Sequence, residues 1–282
     1  MSADTTPTGA APAGATPAGA TPAGAAETAM ADALGRIATA GHLLVALDFD
    51  GTLAPEVDAP RAARALPEAQ DAILRLVALP DTSVALVSGR ALDSLIEVAE
   101  APNTVLLVGS HGVEYRVDGE AEVSLSPEEQ KLRGALETIL TETAAPYDDV
   151  HVEEKPAGFA LHTRLADESV TDLVLAEARR RVAAEAPAAT ERVGKNVLEF
   201  AVRSASKGDA IARLREITGA SAVFFAGDDV TDEDGFRALA AGDFGLKSGH
   251  GDTAAAYRVA GPPEVAHVLD DLAELRAHLG RS

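Results

Sequence analysis

Four short apolar runs punctuate the chain: Leu43-Leu-Val-Ala-Leu47, Ser83-Val-Ala-Leu-Val87, Thr104-Val-Leu-Leu-Val108 and Ala222-Val-Phe-Phe-Ala226. Each is too short for a buried helix and ends in turn-forming polar residues. Such runs read as strands covered on both faces, the kind found inside a parallel sheet. Helical patterns separate them. A helix is predicted over 27–40. Another is carried by Leu66, Ala69, Ile73, Leu74 and Val77 and closed by Pro80, and a third spans 91–100. Strand and helix alternating in short units predict a right-handed α/β sheet.

Beyond Val108 the pattern changes. Strands over 113–117 and 121–125 flank Asp118-Gly119, a good hairpin turn. A helix is predicted over 127–143, with Ser126 as its cap and Pro127 at its first position. Strands over 151–153 and 159–163 surround Pro156-Ala157-Gly158. A helix over 168–185 and strands over 190–193 and 197–202 complete an α+β module. The α/β alternation resumes at Ser206-Lys207-Gly208. It continues with a helix to Thr218, the strand 222–226, a helix over 233–240, short strands over 244–246 and 257–259, and a helix over 263–279. The expected sheet domain is therefore discontinuous, 27–117 plus 205–282, with 118–204 inserted.

Composition narrows the picture. The 282 residues suffice for one large domain or two modest ones, and 46% are hydrophobic, but only 4% are aromatic, so Ala, Val and Leu must fill the core. The formal charge of −21 argues against a nucleic-acid or anionic-membrane partner, since phosphate backbones call for a basic face. A small phosphorylated substrate remains compatible. The absence of cysteine removes disulfides, thiolate catalysis and zinc–thiolate sites. Residues 1–26 repeat Ala-Thr-Pro-Ala-Gly with a period of five, a composition that predicts a disordered tail and lacks the features of a secretory signal. No stretch reads as a membrane span. The expectation is a soluble, cytoplasmic monomer.

The chemistry lies where the strands end. Asp48 and Asp50 close the first run, two residues apart and on one face if the strand persists. Gly51 permits a sharp turn, and Thr52 offers a hydroxyl and an N–H. In open parallel sheets ligands bind beyond the carboxyl ends of the strands. There a carboxylate can attack phosphorus and form an acyl phosphate. Asp48 is read as that nucleophile, and Asp50 as the group that protonates the leaving oxygen and then deprotonates water. Asp228 and Asp229 after the fourth run face the first pair, and a cation would relieve their repulsion. Mg²⁺ fits, held by the Asp48 and Asp228 carboxylates and the Asp50 carbonyl, with Asp229 or Asp232 in support. Ser88, with backbone N–H groups at a helix start, and Lys207 are read as binding the phosphoryl group. His111, between two glycines, is read as a substrate contact. In the insert, Glu154, Lys155, His162, Arg164, Lys195, Asn196 and Glu199 could together hydrogen-bond sugar hydroxyls.

The set Asp48-Phe-Asp-Gly-Thr52, Ser88-Gly89-Arg90, Lys207 and Gly227-Asp-Asp-Val-Thr-Asp232 resembles the haloacid dehalogenase superfamily of phosphatases. Within it the chain is similar to the trehalose-6-phosphate phosphatase family. That likeness rests on Gly109-Ser-His-Gly-Val-Glu114, Glu154-Lys-Pro-Ala-Gly-Phe-Ala-Leu-His-Thr-Arg164, Lys195-Asn-Val-Leu-Glu199 and Gly227-Asp-Asp-Val-Thr-Asp-Glu-Asp-Gly-Phe236, and spans roughly residues 43 to 270. The resemblance implies a Rossmann-like core, a mobile α+β cap, Mg²⁺, and hydrolysis of trehalose 6-phosphate through an aspartyl phosphate. It implies phosphate contacts from Gly51, Thr52, Ser88, Gly89 and Lys207. It also implies sugar-phosphate contacts from Arg90, Glu114, Glu154, Lys155, His162, Arg164, Lys195 and Glu199. Where the family often carries Arg-Pro shortly after the last glutamate, Ala201-Val202 stand here. No synthase domain is attached, so the phosphatase is expected to act alone. The rival expectations are a phosphatase for another sugar phosphate, a phospho-accepting receiver domain and an inactive sugar-phosphate binder.

Overall fold

The computed structural model describes residues 23–279 apart from 58, 123, 124, 195, 203 and 204. Residues 1–22 of the expected tail lie outside that range, while 23–26 open the first helix. In chain order the first half of the large sheet is built from α1 (Ala23–Ala38), β1 (Leu43–Leu47), α2 (Pro67–Val77), β2 (Thr82–Val87), α3 (Leu92–Ala99), β3 (Leu106–Gly109), β4 (Glu114–Val117) and β5 (Glu120–Glu122). The insert follows as α4 (Pro127–Ala144), β6 (His151–Lys155), β7 (Gly158–His162), α5 (Glu168–Glu185), β8 (Thr190–Gly194) and β9 (Val197–Ala201). The chain then returns through α6 (Lys207–Thr218), β10 (Ala222–Gly227), α7 (Asp232–Arg237), β11 (Phe244–Ser248), β12 (Tyr257–Val259) and α8 (Pro262–Leu279).

The large sheet runs β12-β11-β10-β1-β2-β3-β4-β5, parallel from β12 to β3 and antiparallel beyond. β1 lies in the middle because all five of its residues are apolar and can be covered on both faces. Val45 sits between Phe224 and Val84 in the ladder. Leu43, Val45 and Leu47 face a core shared with α1, α2, α3 and α8; Leu44 and Ala46 face a second core with Ile211 and Leu214 of α6 and Phe236 of α7. The scarce aromatics concentrate here: Phe224 and Phe244 stack at 5.0 Å and Phe225 meets Phe236 at 5.0 Å. Each fully buried Phe contributes roughly 2–3 kcal/mol.

The insert forms its own antiparallel sheet, β6-β7-β9-β8. Phe159, Leu161, Leu198 and Phe200 pack against Leu136, Ile139 and Leu140 of α4 and Val174, Ala178 and Val182 of α5. Strand alternation sends Gly158, Ala160, Glu199 and Ala201 to the other face. A side chain at Gly158 would overlap the Phe200 carbonyl, which ties that position to glycine.

Several elements begin or end away from their sequence expectation: α1 starts four residues early, β6 and β11 each run two residues further, and β3 and α7 are cut short. Val105 N–H donates to the Pro102 carbonyl, a turn that delays β3 to Leu106. The α7 helix stops at Arg237 because residues 238 and 239 tighten into short-range backbone bonds. The β4–β5 hairpin belongs to the large sheet, so the boundary expected between residues 117 and 118 cuts through it.

Candidate active site

The parallel ladder carries one residue past β1: Asp48 N–H donates to the Ala226 carbonyl at 2.9 Å. Phe49 then turns into the core, and Leu53 and Ala54 N–H both return to its carbonyl. Gly51 makes the turn with a φ of 76°, and any side chain there would overlap the Asp228 carboxylate. Folding thus brings the ends of β1 and β10 into contact.

Lys207, the first residue of α6, reaches into that junction. Its buried ammonium donates to Asp48 Oδ1 and to Asp232 Oδ1, both at 2.6 Å. A capping box between Ser206 and Asp209 fixes the turn that carries it. Burial works against the ammonium's charge, but Asp48 and Asp232 outweigh it and push Lys207 above its ordinary range. Asp232 Oδ2 accepts from the N–H groups of Asp228 and Asp229, both at 2.9 Å. Thr52, fully buried, donates to Asp228 Oδ1 at 3.1 Å and lies 3.5 Å from Asp48 Oδ2.

Ser88, Gly89 and Arg90 follow β2. Ser88 Oγ accepts from Arg90 N–H at 3.1 Å. The Arg90 guanidinium clasps Asp50 with two bonds of 2.6 and 2.5 Å, which raises the arginine further. After β3, Ser110 and His111 both take left-handed backbone, at φ 49° and 58°. His111 is lowered to about 4 by burial first, then by the charges of Lys207 and Arg192, so it is neutral at pH 7.

A cleft of about 500 Å³ gathers Asp48, Asp50, Ser88, Gly89, Arg90, His111, Lys207, Asp228 and Asp229, with Glu56, Ser94 and Thr231 at its sides. A smaller space of about 90 Å³ continues from Gly89, Ser110 and His111 to the open face of the second sheet. Lys155, Gly158, Arg192, Glu199 and Ala201 line it there.

Several expected residues stand elsewhere. The Thr52 hydroxyl, expected on phosphate, is spent on the two carboxylates. Glu114 is buried and accepts from Leu92 N–H at 3.0 Å and Ser110 Oγ at 2.6 Å, so it fixes the start of α3. Glu154 pairs with Phe159 in the ladder, hence shares its helix-covered face, and binds Arg133 of α4 at 2.5 Å. Glu153 occupies the open face in its stead, bonded to Lys155 at 2.7 Å and to His162 at 2.8 Å. Arg164 is exposed and Asn196 occupies a turn at φ 59°; neither lines a cleft. His162 does not line one either, and Lys195 lies outside the described residues. Sequence reasoning missed Arg192, which lines the smaller space, and Glu153, which bonds the Lys155 that lines it. Strict alternation along β6 is the signal that separates Glu153 from Glu154.

The donor set suits a hard divalent cation. Asp48, Asp228 and Asp232 each offer an oxygen, all within 4.8 Å of one another. Asp232 already accepts three hydrogen bonds, which leaves Asp48 and Asp228, with fewer, as the carboxylates better able to take a cation. Burial raises Asp48 and Asp228, and neighbouring Asp232 adds to both. Such a cluster favours an extra positive charge, which a proton or a metal ion can supply.

A family model described as trehalose-phosphatase matches residues 46–260. Over 225 residues the chain is 32% identical to the trehalose-6-phosphate phosphatase of Escherichia coli K12, covering 77% of this chain and 82% of that protein. Over 239 residues it is 33% identical to the bifunctional trehalose-6-phosphate synthase/phosphatase of Thermoproteus tenax. That match covers 83% of this chain and 32% of the archaeal protein, so the chain spans about a third of that relative's length. The fold superposes on the solved Aspergillus fumigatus trehalose-6-phosphate phosphatase with a TM-score of 0.69 and 25% identity, covering 87% of this chain and 97% of the other.

Proposed function

Because this chain belongs to the trehalose-phosphatase family, we propose that it hydrolyses trehalose 6-phosphate to trehalose and phosphate, the last step of trehalose biosynthesis, as a magnesium-dependent enzyme. The observation that carries this reading is the convergence in one cleft of Asp48 with Lys207 and Asp228, which lie 159 residues or more further along the chain. On this reading the large sheet from β1 to β5 and from β10 to β12, with its helices, is the phosphatase core, and the inserted sheet with α4 and α5 is the cap that recognises the sugar. The enzyme acts as a cytoplasmic monomer. Among the described residues no helix is long and apolar enough to cross a membrane.

The Asp48 and Asp228 carboxylates and the Asp50 carbonyl would hold Mg²⁺, which neutralises phosphoryl oxygens when bound. An Asp48 carboxylate oxygen attacks phosphorus while the bond from phosphorus to the sugar oxygen breaks. Asp50, once parted from Arg90 and protonated from solvent, gives that proton to the departing oxygen. A water then attacks the aspartyl phosphate, Asp50 takes the water's proton, and the acyl-phosphate P–O bond breaks to release phosphate. Lys207, Ser88 and the Gly89 backbone steady the phosphoryl group. Lys155, Glu199 and Arg192 on the open cap face offer donors and acceptors to sugar hydroxyls, and Glu153 steadies Lys155.

Phosphate release from trehalose 6-phosphate, sucrose phosphate and glucosylglycerate phosphate tests the assignment. Trehalose 6-phosphate should rank first, and Asp48→Asn should reduce turnover at least about a thousandfold with the fold intact. A different preferred sugar would transfer the reading to that substrate.

A further inference from the structure

We propose that Lys247 is a positioning residue for Asp228, holding the acidic loop after β10 in place from beneath. This rests on the reading of Asp48 and Asp228 as cation ligands. Lys247 is the next-to-last residue of β11 and sits opposite Gly227 in the parallel ladder, beside the strand end that leads into Asp228. Its side chain is buried. The ammonium donates to the Asp228 carbonyl, lies 3.5 Å from the Asp229 carbonyl and 3.7 Å from Glu233 Oε1. That Glu233 oxygen is buried and has no hydrogen-bond partner, so Lys247 is the charge that balances it. The other Glu233 oxygen accepts from Ala254 N–H at 2.7 Å, which secures the loop after β11 to α7.

The next residue completes the arrangement. Ser248 Oγ donates to the Gly51 carbonyl at 2.8 Å. Gly51 is the residue packed against the Asp228 carboxylate. The last two residues of β11 therefore hold the backbones of both loops that present the carboxylates, while touching neither carboxylate themselves. A buried lysine used only to fill space would be replaceable by an apolar chain of equal length. Here its removal would release one carbonyl or two and strand a carboxylate.

Thermal unfolding of the full chain in chelator and across a MgCl₂ titration tests this without reference to turnover. Wild type should gain stability with added Mg²⁺. Lys247→Met should need about tenfold more Mg²⁺ to reach half of that gain, as happens when groups that orient metal ligands are lost. Ser248→Ala should shift the midpoint in the same direction by less. Leu272→Ala, a core truncation in α8, should lower the melting temperature yet keep the wild-type Mg²⁺ midpoint. Lys247→Met with an unchanged midpoint would overturn the proposal and leave Lys247 a support of the fold. If Lys247→Met yields no folded protein, an unchanged midpoint in Ser248→Ala overturns it. A wild type that does not respond to Mg²⁺ removes the metal reading, and this inference with it.

Discussion

In β6 the pairing of Glu153 with Ala160 and of Glu154 with Phe159 sends adjacent glutamates to opposite faces of the second sheet. Glu154 is tied to Arg133 at the helix-covered face, while Glu153 shares the open face with Lys155 and His162. Glu153→Ala should therefore raise KM for the sugar phosphate about tenfold and change kcat less, the loss expected for a charged hydrogen bond. Glu154→Ala should leave KM unchanged and cost under about 1 kcal/mol of stability, because its ion pair is largely exposed. Steady-state kinetics and chemical denaturation of the two variants separate the roles. The acids and lysine at the strand ends were legible in the sequence because strand, glycine turn and helix start leave them one place to go. The cap residues were not. Which face a strand residue takes depends on register, and register is set by partners far along the chain.

At the scale of the element, nearly every strand and helix announced itself through its period, and the shifts lay at the ends, as where turns cut β3 and α7 short. What the sequence does not write is the sheet order that carries β10 and β11 back beside β1 after an insert. That step depends on long-range packing of Phe224, Phe225 and Phe244. The α6 helix shows how a local device serves the site. Its capping box closes the first turn, and that turn carries Lys207. Ser206→Ala should cost about 1 kcal/mol of folding stability. It should also lower kcat, because the ammonium loses its fixed start. A variant destabilised as much with kcat intact would show that Asp48 and Asp232 alone hold Lys207.

Across the whole molecule, acid should act first at the junction of the two sheets. His111 stands between Lys207 of the core and Arg192 of the cap, with Asp229 and Asp232 farther off, and is lowered to about 4 from an ordinary value of 6.5. The unfolded chain therefore binds the extra proton first. The stabilisation is complete above pH 6.5 and is lost as pH falls from 6.5 towards 4. After allowance for partial solvent exposure the loss is about 2 kcal/mol. Asp48 and Asp228 are shifted upward, so they contribute in the opposite sense, which makes a matched comparison necessary. Denaturation of wild type and His111→Asn, whose side chain tolerates the left-handed backbone there, should give profiles that differ across this window and run parallel above it. Parallel profiles throughout would refute the assignment.

The clasp of Arg90 on Asp50 also bears on turnover. On the proposed function, a dianionic group docking at this guanidinium would meet a carboxylate already seated there, so docking would be a swap of partners and not the quenching of a bare charge. On that same function, the carboxylate would stand ready to reclaim the guanidinium as phosphate leaves, and so would favour release of the product.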